Sequence, residues 1–64
     1  MGLRKNLSQL RAKRRLTQEQ LGRKIGVSGA YISLLESGGK TNPSLGLLVK
    51  LARALKVQLG DLLA

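Results

Sequence analysis

Apolar residues recur at helical spacing along most of the 64-residue chain. Leu3, Leu7 and Leu10 follow an i, i+4, i+7 pattern and share one stripe of a first helix, because positions three and four apart lie on one face. Arg4, Lys5, Arg11, Lys13, Arg14 and Arg15 surround that stripe. The next segment opens on Thr17-Gln18-Glu19-Gln20, which fits a capping box with Thr17 as N-cap and Gln20 reaching back from the third helical position. Leu21 and Ile25 then stand one turn apart on the inner face, and Gly26 is the stop signal, so the pattern predicts a short helix over 18–25. Ser28 can cap a third helix in which Ile32 and Leu35 point inward and Gly38-Gly39 mark the end. Only Gly26-Val27-Ser28 separate the second helix from the third, and a turn that short forces a steep crossing. Asn42-Pro43-Ser44 opens a fourth helix, with Asn42 as the expected N-cap and Pro43 at the first helical position, where a missing N–H costs nothing. Leu45, Leu48, Leu51, Ala52 and Leu55 form its expected apolar stripe. Val57 falls in a short connection, and a last turn or two runs from about 59 to 63. No alternation and no hairpin dipeptide points to a strand. The pattern therefore predicts an all-α fold of five short helices, with one domain over 1–64 and neither repeat nor linker.

Composition narrows the chemistry. Apolar residues make up 42% of the chain and aromatic residues 2%, with Tyr31 alone, so the core must be built from Leu, Ile, Val and Ala. A chain this short buries only about 60% of its unfolded surface, so its own core is marginal and a partner chain can add to it. There is no Cys and no His, and the acids are Glu19, Glu36 and Asp61. Disulfides and thiolate metal sites are thereby excluded, and a metal site or carboxylate pair has little to work with. No Ser or Thr stands in a constellation with Lys that suggests an activated nucleophile. A non-enzymatic protein without metal or cofactor is the expectation.

Twelve Lys and Arg against three acids give a net charge of +9. Such a charge on so small a surface attracts polyanions, of which nucleic acid and an anionic membrane surface are the two candidates. The capped helices and short turns argue for a bundle and against an amphipath lying on a membrane. No apolar run approaches the roughly 20 residues of a spanning helix, and no apolar leader is visible near the N-terminus. A cytoplasmic location is expected.

The ordered set Thr17-Gln18-Glu19-Gln20-Leu21, Gly26-Val27-Ser28, Tyr31-Ile32-Ser33 and Glu36-Ser37-Gly38, continued by Asn42-Pro43-Ser44-Leu45, Leu48, Leu51-Ala52, Ala54-Leu55 and Val57, is similar to the helix-turn-helix of the lambdoid repressor and Cro family, often called Xre-like. The resemblance covers residues 3–63. It implies a lambda-repressor-like fold with the helix-turn-helix at the second and third helices. It also implies double-stranded DNA as partner, a role as transcriptional regulator and repressor, and a homodimer on the DNA. The recognition helix would span about 28–37 and lie in the major groove, which admits one α-helix.

Independently of the resemblance, the outward face of the third helix carries Gly29, Ala30, Ser33 and Leu34, with Ser28 and Tyr31 near its start. Ser28, Gly29, Ala30, Ser33 and Leu34 are the expected base-facing set. The N-terminus of the second helix offers free N–H groups and a partial positive charge, a natural phosphate site. The resemblance implies that Gln18 there, and Lys40, Thr41 and Asn42 in the loop after the third helix, contact the DNA backbone; Tyr31 is a further phosphate candidate. It also implies an internal ion pair between Arg11 and Glu36. Leu59 and Leu63 exceed what the core of the fourth helix needs, and the resemblance implies a dimer interface there.

Two departures from the family pattern stand out. Gly29, Ala30 and Leu34 occupy positions where such regulators often carry side chains that donate or accept, so reading is expected to shift toward thymine methyl contacts, phosphates and DNA shape. Gly22 replaces the usual Ala inside the second helix, at a cost of about 1 kcal/mol in helix propensity. The alternative function is a protein-interaction module, because antitoxins and bridging coactivators that resemble this family hold a protein partner with the same helices.

Overall fold

The same short cap recurs at three helix starts. The hydroxyls of Thr17, Ser28 and Ser44 accept from the backbone N–H groups of Gln20, Tyr31 and Leu47 at 3.0, 3.1 and 3.1 Å. Each takes up one amide that the first helical turn would otherwise leave orphaned. At the first of them the Gln20 side chain also accepts from Thr17 N–H at 2.8 Å, which completes the capping box. These caps delimit α2 (Gln18–Ile25), α3 (Gly29–Ser37) and α4 (Leu45–Leu55), which join α1 (Leu3–Lys13) and α5 (Leu59–Leu63) in a computed structural model that describes residues 2–39 and 42–64. Among the described residues there is no strand. Left-handed residues close three of the helices: Gly26 after α2, Gly38 after α3 and Lys56 after α4.

The core is aliphatic, as the composition required. Leu7, Leu21, Ile32, Leu51, Leu55 and Leu62 are fully buried, and Ile25, Leu35 and Ala52 nearly so. α2 and α3 pack on one another, α1 packs on α3 and α5, and α4 packs on α2 and α5. α2 thus has α3 as one neighbour and α4 as another. Two side chains tie distant helix ends together. The Asn6 amide of α1 donates to the carbonyls of Leu62 and Ala64 at 3.1 Å each and lies 3.4 Å from that of Asp61. Arg14 donates from Nε to the Leu55 carbonyl at the end of α4 at 3.0 Å.

The helix boundaries expected for α2, α3 and α5 match. The start of α4 is a correction: Ser44, and not Asn42, is the N-cap, and Pro43 precedes the helix. The Ser44 hydroxyl takes the Leu47 amide over the same three-residue span as the caps at Thr17 and Ser28, and asparagine and serine are equally good N-caps, so local preference does not choose between the two positions. Leu45 also leaves the expected apolar stripe. It is 64% exposed on the first turn of α4, which runs past the core. At the other end, Leu62 is the leucine of α5 that fills the core, while Leu59 and Leu63 stay half-buried at its margin.

Candidate nucleic-acid interface

The α2–turn–α3 unit is held by close backbone approach at two glycines, too close for a side chain at Gly22 and tight for one at Gly29. After α2, Gly26 turns the chain at φ 80° and Val27 N–H donates to the Gly22 carbonyl at 2.9 Å. The turn thereby lies directly on Gly22: a Cβ there would stand 2.5 Å from the Val27 carbonyl oxygen and 3.0 Å from the Ser28 carbonyl carbon. On the far side of the turn, a Cβ on Gly29 would stand 3.0 Å from Glu19 Cα and 3.1 Å from Glu19 N. The first turn of α3 is therefore seated on the first turn of α2, and two glycines set the approach of the pair.

The other end of α3 is fixed by charge. Arg11 Nε and Nη2 donate to the two carboxylate oxygens of Glu36 at 2.6 and 3.0 Å, a bidentate fork. The third guanidinium nitrogen, Nη1, donates to the Leu16 carbonyl at 2.7 Å, and Gln18 Nε2 donates to Glu36 Oε1 at 3.1 Å. One carboxylate thus joins α1, the start of α2 and the end of α3. The side chains are only 9% exposed for Glu36 and 19% for Arg11, so little water competes. Burial pushes the Glu36 carboxyl up, but the hydrogen bonds from Arg11 and Gln18 and the Arg11 charge outweigh it and hold the pKa below its ordinary value. The hydrogen bond to Glu36 raises the pKa of Arg11.

This frame distributes the expected site residues unevenly. Ala30 is exposed, Leu34 is 47% exposed and Ser33 half-buried, so α3 presents a mostly apolar outer face. Leu34 leans toward Gly39, where a Cβ would lie 2.7 Å from its Cδ2. Ser28 is exposed with its hydroxyl engaged as the cap. At Gly29, a further member of the expected base-facing set, a Cβ would lie against Glu19, so the position also serves the packing of α3 on α2. Tyr31 is half-buried against the core and lines a cleft with Val27, Ser44 and Leu47. Gln18 is committed through one amide proton to Glu36, which leaves the second proton for an outside acceptor. Asn42 is exposed beside the start of α4. Lys40 and Thr41 lie outside the described residues.

The internal role of Gln18 and the packing role of Gly22 and Gly29 were missed from sequence. A signal existed for the glycines. A helix pays about 1 kcal/mol for an interior Gly, and two of them flanking a three-residue turn mark close backbone approach.

Charge is also placed unevenly. α3 carries no Lys or Arg, and its one charged residue, Glu36, is neutralised by Arg11. Arg23 and Glu19 pair at 2.8 Å on the surface of α2, with side chains 77% and 70% exposed, where such pairs contribute little. Among the described residues no group of His, Cys, Asp or Glu could hold a metal ion, and no helix is long and apolar enough to cross a membrane.

Comparison with known proteins places this architecture. A helix-turn-helix family model matches residues 7–62. An uncharacterized HTH-type transcriptional regulator of Archaeoglobus fulgidus is 43% identical over 60 residues, which cover 94% of this chain and 84% of that protein. One from Methanocaldococcus jannaschii is 40% identical over 60 residues, covering 94% and 89%. The uncharacterized HTH-type transcriptional regulator RghRB of Bacillus subtilis is 41% identical over 58 residues, covering 91% of this chain but 42% of that protein. No solved structure matches the chain. With the turn seated on Gly22, the Arg11–Glu36 fork and the family match over nearly the whole chain, the protein belongs to the helix-turn-helix family of the Cro and repressor type, a class of DNA-binding transcriptional regulators and not of enzymes.

Proposed function

We propose that the chain acts in the cytoplasm as a repressor that sets α3 in the major groove of duplex DNA and binds as a homodimer. The observation that carries this reading is the mounting of α3: pinned to α2 at Gly29 and to α1 at Glu36, it leaves Ala30 and Leu34 open to solvent. A rigid helix with an unused outer face is what groove insertion needs. Ala30 and Leu34 can make only apolar contacts, most usefully with a thymine methyl, and the Ser28 and Ser33 hydroxyls discriminate poorly alone. Phosphate contacts from Gln18, Tyr31, Lys40, Thr41 and Asn42 supply the rest of the affinity, and of these the Lys40 charge adds about −0.9 to the slope of log K against log salt. The specificity ratio belongs near the lower end of the usual range of roughly 10³–10⁷. Selection of bound sequences from a random duplex pool tests this directly: enrichment of a two-fold site supports it, and absence of any enriched sequence defeats it.

Two variants separate reading from holding. Leu34→Ala is expected to weaken binding at a thymine-containing site by about fivefold while leaving random duplex nearly unaffected, which corresponds to about 1 kcal/mol of apolar contact. Lys40→Ala is expected to weaken both duplexes equally and to reduce the salt slope. Equal losses on both duplexes for Leu34→Ala would remove that residue from the reading face.

Half-burial of Leu59 and Leu63 at the edge of the core supports a second copy docking there. Two-fold pairing would place the two α3 helices about 34–36 Å apart, one turn of the duplex. Leu59→Lys is expected to lower affinity for a two-fold site by about tenfold with the melting curve unchanged. A domain unfolded by that change would assign Leu59 to its own core instead.

A second reading, a module that holds a protein partner on the same helices as antitoxins do, is favoured by the 47% exposure of Leu34 on a helix without a cation. Binding of random duplex that collapses at low salt as well as at high salt would favour it over the first.

A further inference from the structure

α3 itself carries no Lys or Arg, and three exposed cations gather on α2 and α4. Lys24 in the last turn of α2 and Lys50 and Arg53 on α4 line one shallow groove, with Ile25 and Ala54 as its floor. All three cations are exposed. The acids are committed elsewhere: Glu36 to Arg11, Glu19 to Arg23, and Asp61 to the Gln58 N–H at 3.1 Å. Among the described residues no carboxylate pairs with any of the three groove cations, so their charge is unbalanced. At Ile25 and Lys50 the groove continues into the cleft walled by Val27, Tyr31 and Leu47. The surface therefore offers three adjacent cations beside an apolar notch, on the α4 side of α2.

We infer that this groove binds an acidic peptide segment that carries an apolar anchor residue. Its carboxylates meet Lys24, Lys50 and Arg53, and its apolar side chain enters the notch between Val27 and Leu47. A duplex supplies the negative charge but presents phosphates and sugars where the notch asks for an aliphatic group; a peptide supplies both at side-chain spacing. Exposed ion pairs each contribute little, so the anchor must add to them and the complex is weak, salt-sensitive and fast to form. The inference goes beyond DNA binding and stands on different cations, with Tyr31 the one residue shared with the proposed DNA contacts.

The test uses the whole chain and three probes: an amphipathic helical peptide with Glu on one face and Leu on the other, its Gln-for-Glu isostere, and a random-sequence duplex. The variant Lys24→Gln/Lys50→Gln/Arg53→Gln is compared with Lys5→Gln/Lys13→Gln/Arg15→Gln, which removes the same charge from exposed positions elsewhere. The acidic peptide is expected to bind wild type and to perturb the amide resonances of Ile25, Val27, Leu47 and Ala54. The groove variant should lose about tenfold in peptide affinity and the control variant less than about twofold. Against the duplex, the groove variant should fare no worse than the control. Equal binding of the Gln isostere, or equal peptide losses in both variants, overturns the inference. A duplex loss larger in the groove variant than in the control also overturns it, because the face would then be a DNA surface.

Discussion

Glu36→Ala is expected to lower the melting temperature by more than about 10 °C. The change leaves the Arg11 guanidinium, 19% exposed, with only the Leu16 carbonyl as partner and takes an acceptor from Gln18. Removing one partner of a buried pair costs about 3–5 kcal/mol, and the residual exposure of Arg11 puts this case at the lower end. About 3 kcal/mol is most of what a core of this size supplies, and each kcal/mol moves the midpoint of a small domain by about 4–8 °C. The double variant Arg11→Met/Glu36→Leu is expected to recover most of the loss, because it removes both charges together. Thermal melts followed by circular dichroism decide the matter. A shift of less than about 2 °C for Glu36→Ala would reduce the fork to the value of a surface pair.

The same carboxylate gives the protein an acid limit. Its folded-state pKa is lowered, because the hydrogen bonds from Arg11 and Gln18 and the Arg11 charge outweigh the burial that pushes it up. A lowered carboxyl stabilises the fold fully above the ordinary carboxylate range. That contribution is lost as pH falls through the range and on through the lower folded-state value. Stability attributable to Glu36 should therefore be flat from neutral pH down to about pH 5 and fall below it. In Glu36→Gln this acid-dependent part should be missing when chemical denaturation at neutral pH is compared with that at about pH 3.

Gly22→Ala is expected to destabilise the fold by up to about 2 kcal/mol, although helix propensity alone favours alanine by about 1 kcal/mol. The new methyl would stand 2.5 Å from the Val27 carbonyl oxygen and 3.1 Å from that of Ser28, and both belong to backbone that cannot rotate aside. The turn must lift, and over-packing of this kind costs about 1–3 kcal/mol before the propensity gain is subtracted. Because Ser28 caps α3, lifting the turn also tilts α3 away from α2. DNA affinity should fall further than the loss of folded protein explains. An alanine variant more stable than wild type in denaturant titration would show that the turn has room to move.

The helices were readable because their boundaries are written in short-range chemistry. Thr17 and Gln20, Ser28, Gly26 and Gly38 act within three or four residues of themselves, and each stands where local reasoning puts it. Local reasoning failed where two adequate caps compete: Asn42 and Ser44 are equally plausible alone, and only the packing register of α4 selects Ser44. It failed again where a residue's role depends on a neighbour distant in sequence. Asn6, on α1, finds its acceptors in α5, and Gly29 is explained by Glu19. The Arg11–Glu36 contact was accessible only through the family resemblance, since nothing in the spacing of two residues on different helices predicts it. At the interface, the apolar character of Ala30 and Leu34 was plain from sequence, whereas the engagement of Gln18 with Glu36 was not.

The Asn6 clasp has a kinetic side. α2 and α3 are neighbours in sequence, so their contact can form after closing a turn of three residues. The clasp joins α1 to carbonyls more than fifty residues away, and nearly the whole chain must already be ordered before it closes. α5 has five residues, too few to persist unsupported. It is therefore expected to dock last and open first, which hydrogen exchange would show as weaker amide protection at the edge where α1 meets α5 than in the α2–α3 unit.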